Sequence, residues 1–469
     1  MSNDKMIKKL KQFLIESNAN DFSKLLIVVL LILAGASLIA MFFVDPWYVI
    51  AADLVVLALM LVVHFIDFAF YLMIFFYPFV AWEFKIGALN LPYVDLLALL
   101  VFGAWLIKKL ITWTKTNHIG FRDFPALGAA LFFLVVSALS IINNDNILLG
   151  FRYWLRPLLF FYLMFIVLPY DMIKTQKRLF GVLRIMFIVG VAVMIMGLFS
   201  VATAEGGWFA HRAVPYSFWG FSPLGGNHNA IAEVLIVTIP IVLIFILNEQ
   251  RTRVKNWLVL ILGALMVTTI LTYSRSGWLA LLVEFIIILA VYYRKKWGKQ
   301  LTGFVILCLI ILPIIFYLSL FQNLNLIQLS NSNRLMSSQI SMEYFAQHPV
   351  IGNGLNTFQK LLGSTFVYFV DFGDPLDSHG FAQKLLVETG ALGLIGYLGI
   401  LVYCFKKYID GYRMAETEKS KNIILAFLMM LVALVVFELF STSYFIARMW
   451  LPIGVGLAGT KILSMKNEQ

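Results

Sequence analysis

The sequence predicts an all-α protein that crosses a membrane many times, and three observations carry that prediction. The chain of 469 residues is 61% apolar and only 13% charged, with a mean hydropathy of +0.89, whereas ordinary soluble domains are about 25% charged. Apolar runs of about 16 to 22 residues recur along it, the length that carries a helix across about 30 Å of hydrocarbon. Lysine and arginine sort to one side of those runs, as the positive-inside rule requires.

Polar punctuation marks the runs near residues 25–43, 48–63, 66–81, 93–107, 125–142, 154–170, 180–200, 230–247, 256–273, 277–293, 302–321, 385–405, 422–440 and 446–462. Together they make about 12 to 14 transmembrane helices. The runs 48–63 and 66–81 are short and separated only by His64 to Asp67, so they either cross separately or form a hairpin that does not fully cross. The first run starts too late and is too long for a cleaved signal peptide. The organisation expected is a cytoplasmic segment 1–24, a transmembrane bundle 25–321, a large extracytoplasmic loop 322–384, further transmembrane helices 385–462, and a cytoplasmic tail 463–469. Both termini lie in the cytoplasm in this scheme.

Charge tests the scheme. The clusters Lys108–Lys109, Lys174 to Arg184, Arg251 to Lys255, Arg294 to Lys299 and Lys406 to Lys421 all fall on the cytoplasmic side. A net charge of +11 therefore reports topology, and no nucleic-acid partner is expected. The two cysteines, Cys308 and Cys404, sit in apolar runs, which excludes a disulfide framework. The outer side holds Lys85, Arg152, Arg156, Arg212, Arg275, Arg334, Lys360, Lys384 and Arg448, so arginine dominates there although lysine serves the inner face. Arginine presents a permanently charged planar fork that grips phosphate or carboxylate in bidentate fashion. An outer cavity lined by it points to a phosphorylated substrate, the alternative being snorkelling at the interface.

Within that set, Arg152 and Arg156 are four apart, so they share a helix face and can hold one diphosphate or form an interfacial belt. Arg275, in Thr272-Tyr-Ser-Arg-Ser-Gly-Trp278, places a cation in a tight turn that gains nothing structurally from charge. The large loop carries Asn333-Arg334, His348-Pro-Val-Ile-Gly-Asn-Gly-Leu-Asn-Thr-Phe358 and Asp377-Ser-His-Gly380, the last leading into an apolar helix through Glu388 and Gly390. Histidine is the natural general base near neutral pH. Asp377 or Ser378 is expected to cap the helix and so to put His379 in its first turn, where the dipole keeps the ring neutral. His348 more naturally shapes its loop, and His211 and His228 are weaker candidates. No histidine and carboxylate spacing fits a metal ligand set, and neither metal nor cofactor is expected. Asp53, Asp95, Glu233, Glu284 and Glu438 lie in spans, where ionisable groups are costly and commonly functional. They either mark a proton path or, for Asp95, Glu233 and Glu438 near the outer ends of their spans, serve as counter-ions to the arginines.

The pieces Ser274-Arg275-Ser276-Gly277-Trp278, His348-Pro349 with Gly352-Asn353-Gly354 and Phe358, and His379 ahead of Leu385, Glu388, Thr389, Gly390 and Leu392-Gly393 resemble the O-antigen ligase and polymerase superfamily. The resemblance covers roughly residues 200 to 400. One departure is Gly380, where the family often has asparagine after its loop histidine. The resemblance implies a metal-independent, inverting glycosyltransferase of the GT-C type in the bacterial cytoplasmic membrane. Its donor would be a glycan on undecaprenyl diphosphate and its acceptor another glycan or lipid-linked glycan. In that scheme His379 deprotonates the acceptor and Arg275 acts beside it on the diphosphate. Arg152, Arg156, Arg334, Arg212 and Glu388 serve substrate binding. A precursor flippase is the competing class, but such proteins bind near the bilayer midplane in two related halves. Neither is evident here. Polymerase is slightly favoured over ligase.

Overall fold

The structure, a computed structural model, describes residues 45–86, 89–116, 124–203, 212–217, 222–292, 331–374, 377–442 and 445–465. The runs 25–43 and 302–321, and His211, lie outside the described residues; every other apolar run coincides with a helix. In order these are α1 (Pro46–His64), α2 (Ile66–Phe76), α3 (Tyr93–Thr116), α4 (Leu127–Ser140) and α5 (Ile147–Arg156). There follow α6 (Gln176–Ala202), α7 (His228–Asn248), α8 (Thr252–Leu271), α9 (Arg275–Tyr292) and α10 (331–347). The last five are α11 (Phe358–Ser364), α12 (Phe366–Phe372), α13 (Phe381–Met414), α14 (Glu418–Glu438) and α15 (Ala447–Ser464). The strand pairing among the described residues is an antiparallel hairpin, β1 (Glu83–Ile86) with β2 (Leu89–Pro92), in which Glu83 faces Pro92.

Six helices among the described residues are long and apolar enough to cross a membrane, and up to seven if the bent pair Tyr48–His64 and Ile66–Phe76 counts as one span. The protein is an all-α polytopic membrane protein. Helix α5 runs on through π-helical turns at Pro157–Val167 and an α-helical turn at Leu168–Met172, forming one apolar stretch Ile147–Met172. The wider turns begin at Pro157, which has no N–H to give to the carbonyl one α-turn back.

Contacts divide the chain into one unit of Met1–Phe70 with Leu99–Phe121, and another of Tyr71–Ala98 with Arg122–Gln469. At the heart of the second unit lies α7, buried without a break from Ala230 to Ile244. Helices α6, α8, α9 and α14 pack round it, and its face feeds a core that includes Val193, Leu235, Met266, Phe285 and Met429. Lipid is as apolar as leucine, so close fit holds such helices together more than water exclusion does. Glycine permits that fit: a Cβ at Gly190 would lie 2.1 Å from Thr238 Oγ1, and one at Gly454 would lie 2.1 Å from the Phe165 carbonyl oxygen.

The stretch expected as a long outer loop is largely helical where described. Helices α10, α11 and α12 enclose a small core of Ile340, Phe358, Leu362 and Tyr368, which docks on Val387 of α13.

Candidate functional site

Arg275 is the first residue of α9. The turn before it is set by Tyr273 at φ 54°, and Ser274 closes the helix end: its Oγ accepts from Gly277 N at 3.2 Å and lies 3.0 Å from Ser276 Oγ. The side-chain cap satisfies one amide that a helix start leaves free. The Arg275 guanidinium then reaches α10, where Nη1 donates to Asn331 Oδ1 at 2.7 Å. One turn along α10 stands Arg334, half-buried, its Nε without a hydrogen-bond partner. Burial and the neighbouring Arg275 both hold the Arg334 guanidinium below its usual basicity.

Helix α10 is fastened to α13 by Gln383, whose Nε2 donates to Ser337 Oγ at 3.1 Å and Ser341 Oγ at 2.8 Å. That link brings Arg334 alongside His379. The half-buried His379 ring is pushed down from 6.5 to about 4, first by burial and then by Arg334, with Arg275 acting in the same sense and Asp377 opposing. His228, at the start of α7, lies within the electrostatic reach of Arg334 and of the exposed Arg212. Four of the residues singled out in the sequence, Arg212, Arg275, Arg334 and His379, are thus brought together, and His228 joins them.

The expected cap of α13 is corrected by the structure. Its N-cap is Gly380 and the helix begins at Phe381, so His379 precedes the helix and is not in its first turn. Ser378 closes a local turn instead, its Oγ donating to the Gly380 carbonyl at 2.6 Å and accepting from Gly380 N at 3.2 Å. Asp377 holds Lys384 Nζ with both oxygens at 2.8 Å. The ring is therefore kept neutral by burial and arginines, not by the helix dipole. Gly380 itself is extended at φ −178°, which any residue adopts, but a Cβ there would lie 2.4 Å from the Leu439 carbonyl oxygen. Space, not conformation, is what keeps a side chain out of this position.

The His-Pro-x-x-Gly-x-Gly segment forms a clamp on α13. Asn353 N donates to the Val387 carbonyl at 2.8 Å and Gly354 N to the Glu388 carbonyl at 3.0 Å. In return Ala391 N donates to the Pro349 carbonyl at 2.9 Å. Helix α13 opens its own ladder there by a kink at Gly390, φ 67° and ψ −171°, and Cβ atoms at Gly352 or Gly390 would each fall 2.4 Å from the opposing backbone. His348 is exposed at the edge of this clamp. Glu388, 1% exposed, turns its Oε1 to the Phe358 amide at 3.3 Å, so its carboxylate braces the loop rather than facing the arginines.

Arg152 is exposed on α5. Arg156 lines a different cavity with Glu83, Asp95 and Arg448, to which none of Arg275, Arg334 or His379 contributes. Two of the acids expected as counter-ions take that part: Asp95 feels Arg156, and Glu233 pairs with Arg448 at 2.8 Å.

Residues 258–398 match the family described as O-antigen ligase. That stretch of the chain is similar to the O-antigen ligase family. The matched stretch includes Arg275, Arg334, His379 and Glu388, while Arg152, Arg156 and Arg212 precede it. The chain is a multi-pass membrane protein, and the matched stretch suggests glycan transfer of the ligase and polymerase kind. No curated protein matches the chain. Among solved structures it resembles one chain from work described as "Structural coordination of polymerization and crosslinking by a peptidoglycan synthase complex", at 15% identity and a TM-score of 0.40, over 72% of this chain and 98% of that one. At that score the two folds are only loosely alike.

Proposed function

We propose that the protein transfers or polymerises a glycan carried on undecaprenyl diphosphate, at the outer face of the bacterial cytoplasmic membrane, as an inverting glycosyltransferase that uses no metal. The observation that carries this is the convergence of Arg275, Arg334 and Arg212 on a region that also holds a neutral His379. Transfer needs an acceptor oxygen to attack the anomeric carbon as the bond from that carbon to the diphosphate breaks. His379 takes the hydroxyl proton; the arginines receive the charge that develops on the departing lipid diphosphate, the work a metal ion does elsewhere.

The histidine and the arginines also tune each other. In the free protein the arginines' field depresses the base. A bound diphosphate cancels much of that field, so His379 becomes a stronger base only when the donor is in place. A flippase would keep its charged contacts near the bilayer midplane, whereas Arg275 begins a helix and His379 lies outside one.

Purified protein in lipid, given a defined lipid-linked donor, tests the proposal. His379→Ala is expected to bind donor nearly as well as wild type and to transfer it about 10²- to 10⁴-fold more slowly. Arg275→Lys keeps the charge but loses the fork, and most activity should go with it. Near-normal turnover by His379→Ala would remove the histidine from the chemistry.

A further inference from the structure

The cavity beside Arg156 is built unlike the arginine cluster. Its volume is about 260 Å³ and its wall includes Glu83, Asp95, Arg156, Arg448, Leu224 and Ile446. Asp95 is 5% exposed and Arg448 9% exposed. Arg448 Nε forms an ion pair with Glu233 Oε2 at 2.8 Å, and Nη1 is buried with no hydrogen-bond partner. A buried guanidinium nitrogen in that state is satisfied when a ligand oxygen arrives.

The charge balance selects the ligand. Two guanidinium groups and two carboxyl groups, Glu83 and the buried Asp95, line the wall, so a diphosphate would meet carboxyl oxygens with no proton for it on Glu83, and a metal ion would meet two cations. A neutral sugar ring meets neither objection, because each hydroxyl can donate to a carboxylate while accepting from a guanidinium. Leu224 and Ile446 offer apolar surface to the C–H face of such a ring. The volume lies just under the about 300–1,000 Å³ of drug-sized sites, which suits one ring rather than an oligosaccharide. Position adds the role: Leu224 stands four residues before His228, which faces Arg212 and Arg334. One short segment thus borders both the cavity and the arginine cluster.

We propose that this cavity is an acceptor subsite that seats one neutral sugar ring beside the diphosphate-binding arginines. It rests on the glycan-transfer function proposed above and takes Arg156 out of the diphosphate site.

The test uses the full-length protein in detergent or lipid with glucose, galactose, mannose and N-acetylglucosamine as probes, each up to about 50 mM, since a single ring binds weakly. Saturation-transfer NMR should show at least one of them bound. That signal should be lost in Asp95→Asn, Arg156→Gln and the cavity-filling Ile446→Trp, be retained in Arg275→Gln, and survive an excess of undecaprenyl diphosphate. In transfer assays at saturating donor, Arg156→Gln should raise the acceptor concentration for half-maximal rate about tenfold and leave donor binding unchanged. Absence of any sugar signal, its displacement by undecaprenyl diphosphate, its survival in Ile446→Trp, or a rise in donor requirement instead would each overturn the subsite. If undecaprenyl diphosphate binds and the sugars do not, only the subsite falls; if wild type binds neither, the glycan-transfer function falls as well.

Discussion

Arg334→Gln should change the pH at which the enzyme loses its base. His379 is depressed from 6.5 to about 4, with burial the largest cause and Arg334 the larger of the two arginine contributions. A base works only when neutral, so the rate falls as pH drops through its pKa, and kcat/KM reports that of the free enzyme. Wild type is therefore expected to keep its acid limb near pH 4 in kcat/KM. Removing one cation beside a half-buried ring returns about one unit, placing the Arg334→Gln limb near pH 5. It does not reach 6.5, because the ring stays buried. Arg334→Lys retains the charge and should leave the limb near 4 even as the rate drops, which separates field from contact. The limb in kcat, read with donor bound, should lie higher than that in kcat/KM, since the diphosphate offsets the arginines. Initial rates of glycan transfer from pH 3.5 to 8, an interval chosen to bracket both values, measure all three. A wild-type kcat/KM limb near 6.5, or the same limb in Arg334→Gln and wild type, refutes the argument.

Three further outcomes follow from geometry. Gly390→Ala puts a Cβ into the Val350 backbone in a conformation that only glycine readily takes, and is expected to cost about 3 kcal/mol or more, seen as a lowered Tm in detergent; an unchanged Tm would show that the clamp yields. In Gly380→Asn the new Cβ meets the Leu439 carbonyl, so transfer should fall, by displacement of His379, further than donor binding does. A cysteine in place of the exposed Gln339 should react with an impermeant thiol reagent in intact cells and one in place of the exposed Lys419 only after permeabilisation, and the reverse pattern would invert the proposed topology.

Much of the architecture was legible because lipid leaves a chain few options. Every backbone group inside the bilayer must bond within its own segment, so an apolar run such as 230–247 and the helix His228–Asn248 are nearly the same fact. Ends were less legible: α13 continues past Lys406 and Lys407 to Met414, because a charged helix remains a good helix once it leaves the membrane. Arg275, Arg334 and His379 were legible as candidates, since arginine dominates the outer side and histidine is the natural base near neutral pH. Their being neighbours was not, for it depends on Gln383 reaching Ser337 and Ser341 on another helix. Nor was the work of Gly352 and Glu388, which is done against backbone thirty or more residues away in the chain. The cavity at Arg156 was half legible: Asp95 stood out as a costly acid near an arginine, but the hairpin that adds Glu83 is too short to announce itself by alternation.

The glycine clamp also has a support outside the stretch that matches the ligase family. Asn143 Nδ2 donates to the Gly352 carbonyl at 2.7 Å and Asn144 Nδ2 to that of Leu355 at 2.8 Å. Gly354 sits so close to Asn144 that a Cβ would lie 2.8 Å from the Asn144 Cβ. The matched stretch 258–398 is thus not self-contained in this chain. Grafted into another relative, it would present two loop carbonyls with no donors to meet them unless the turn at 143–144 travelled with it. Recombination within such a family should therefore exchange the two segments as a pair, although more than a hundred residues of chain separate them.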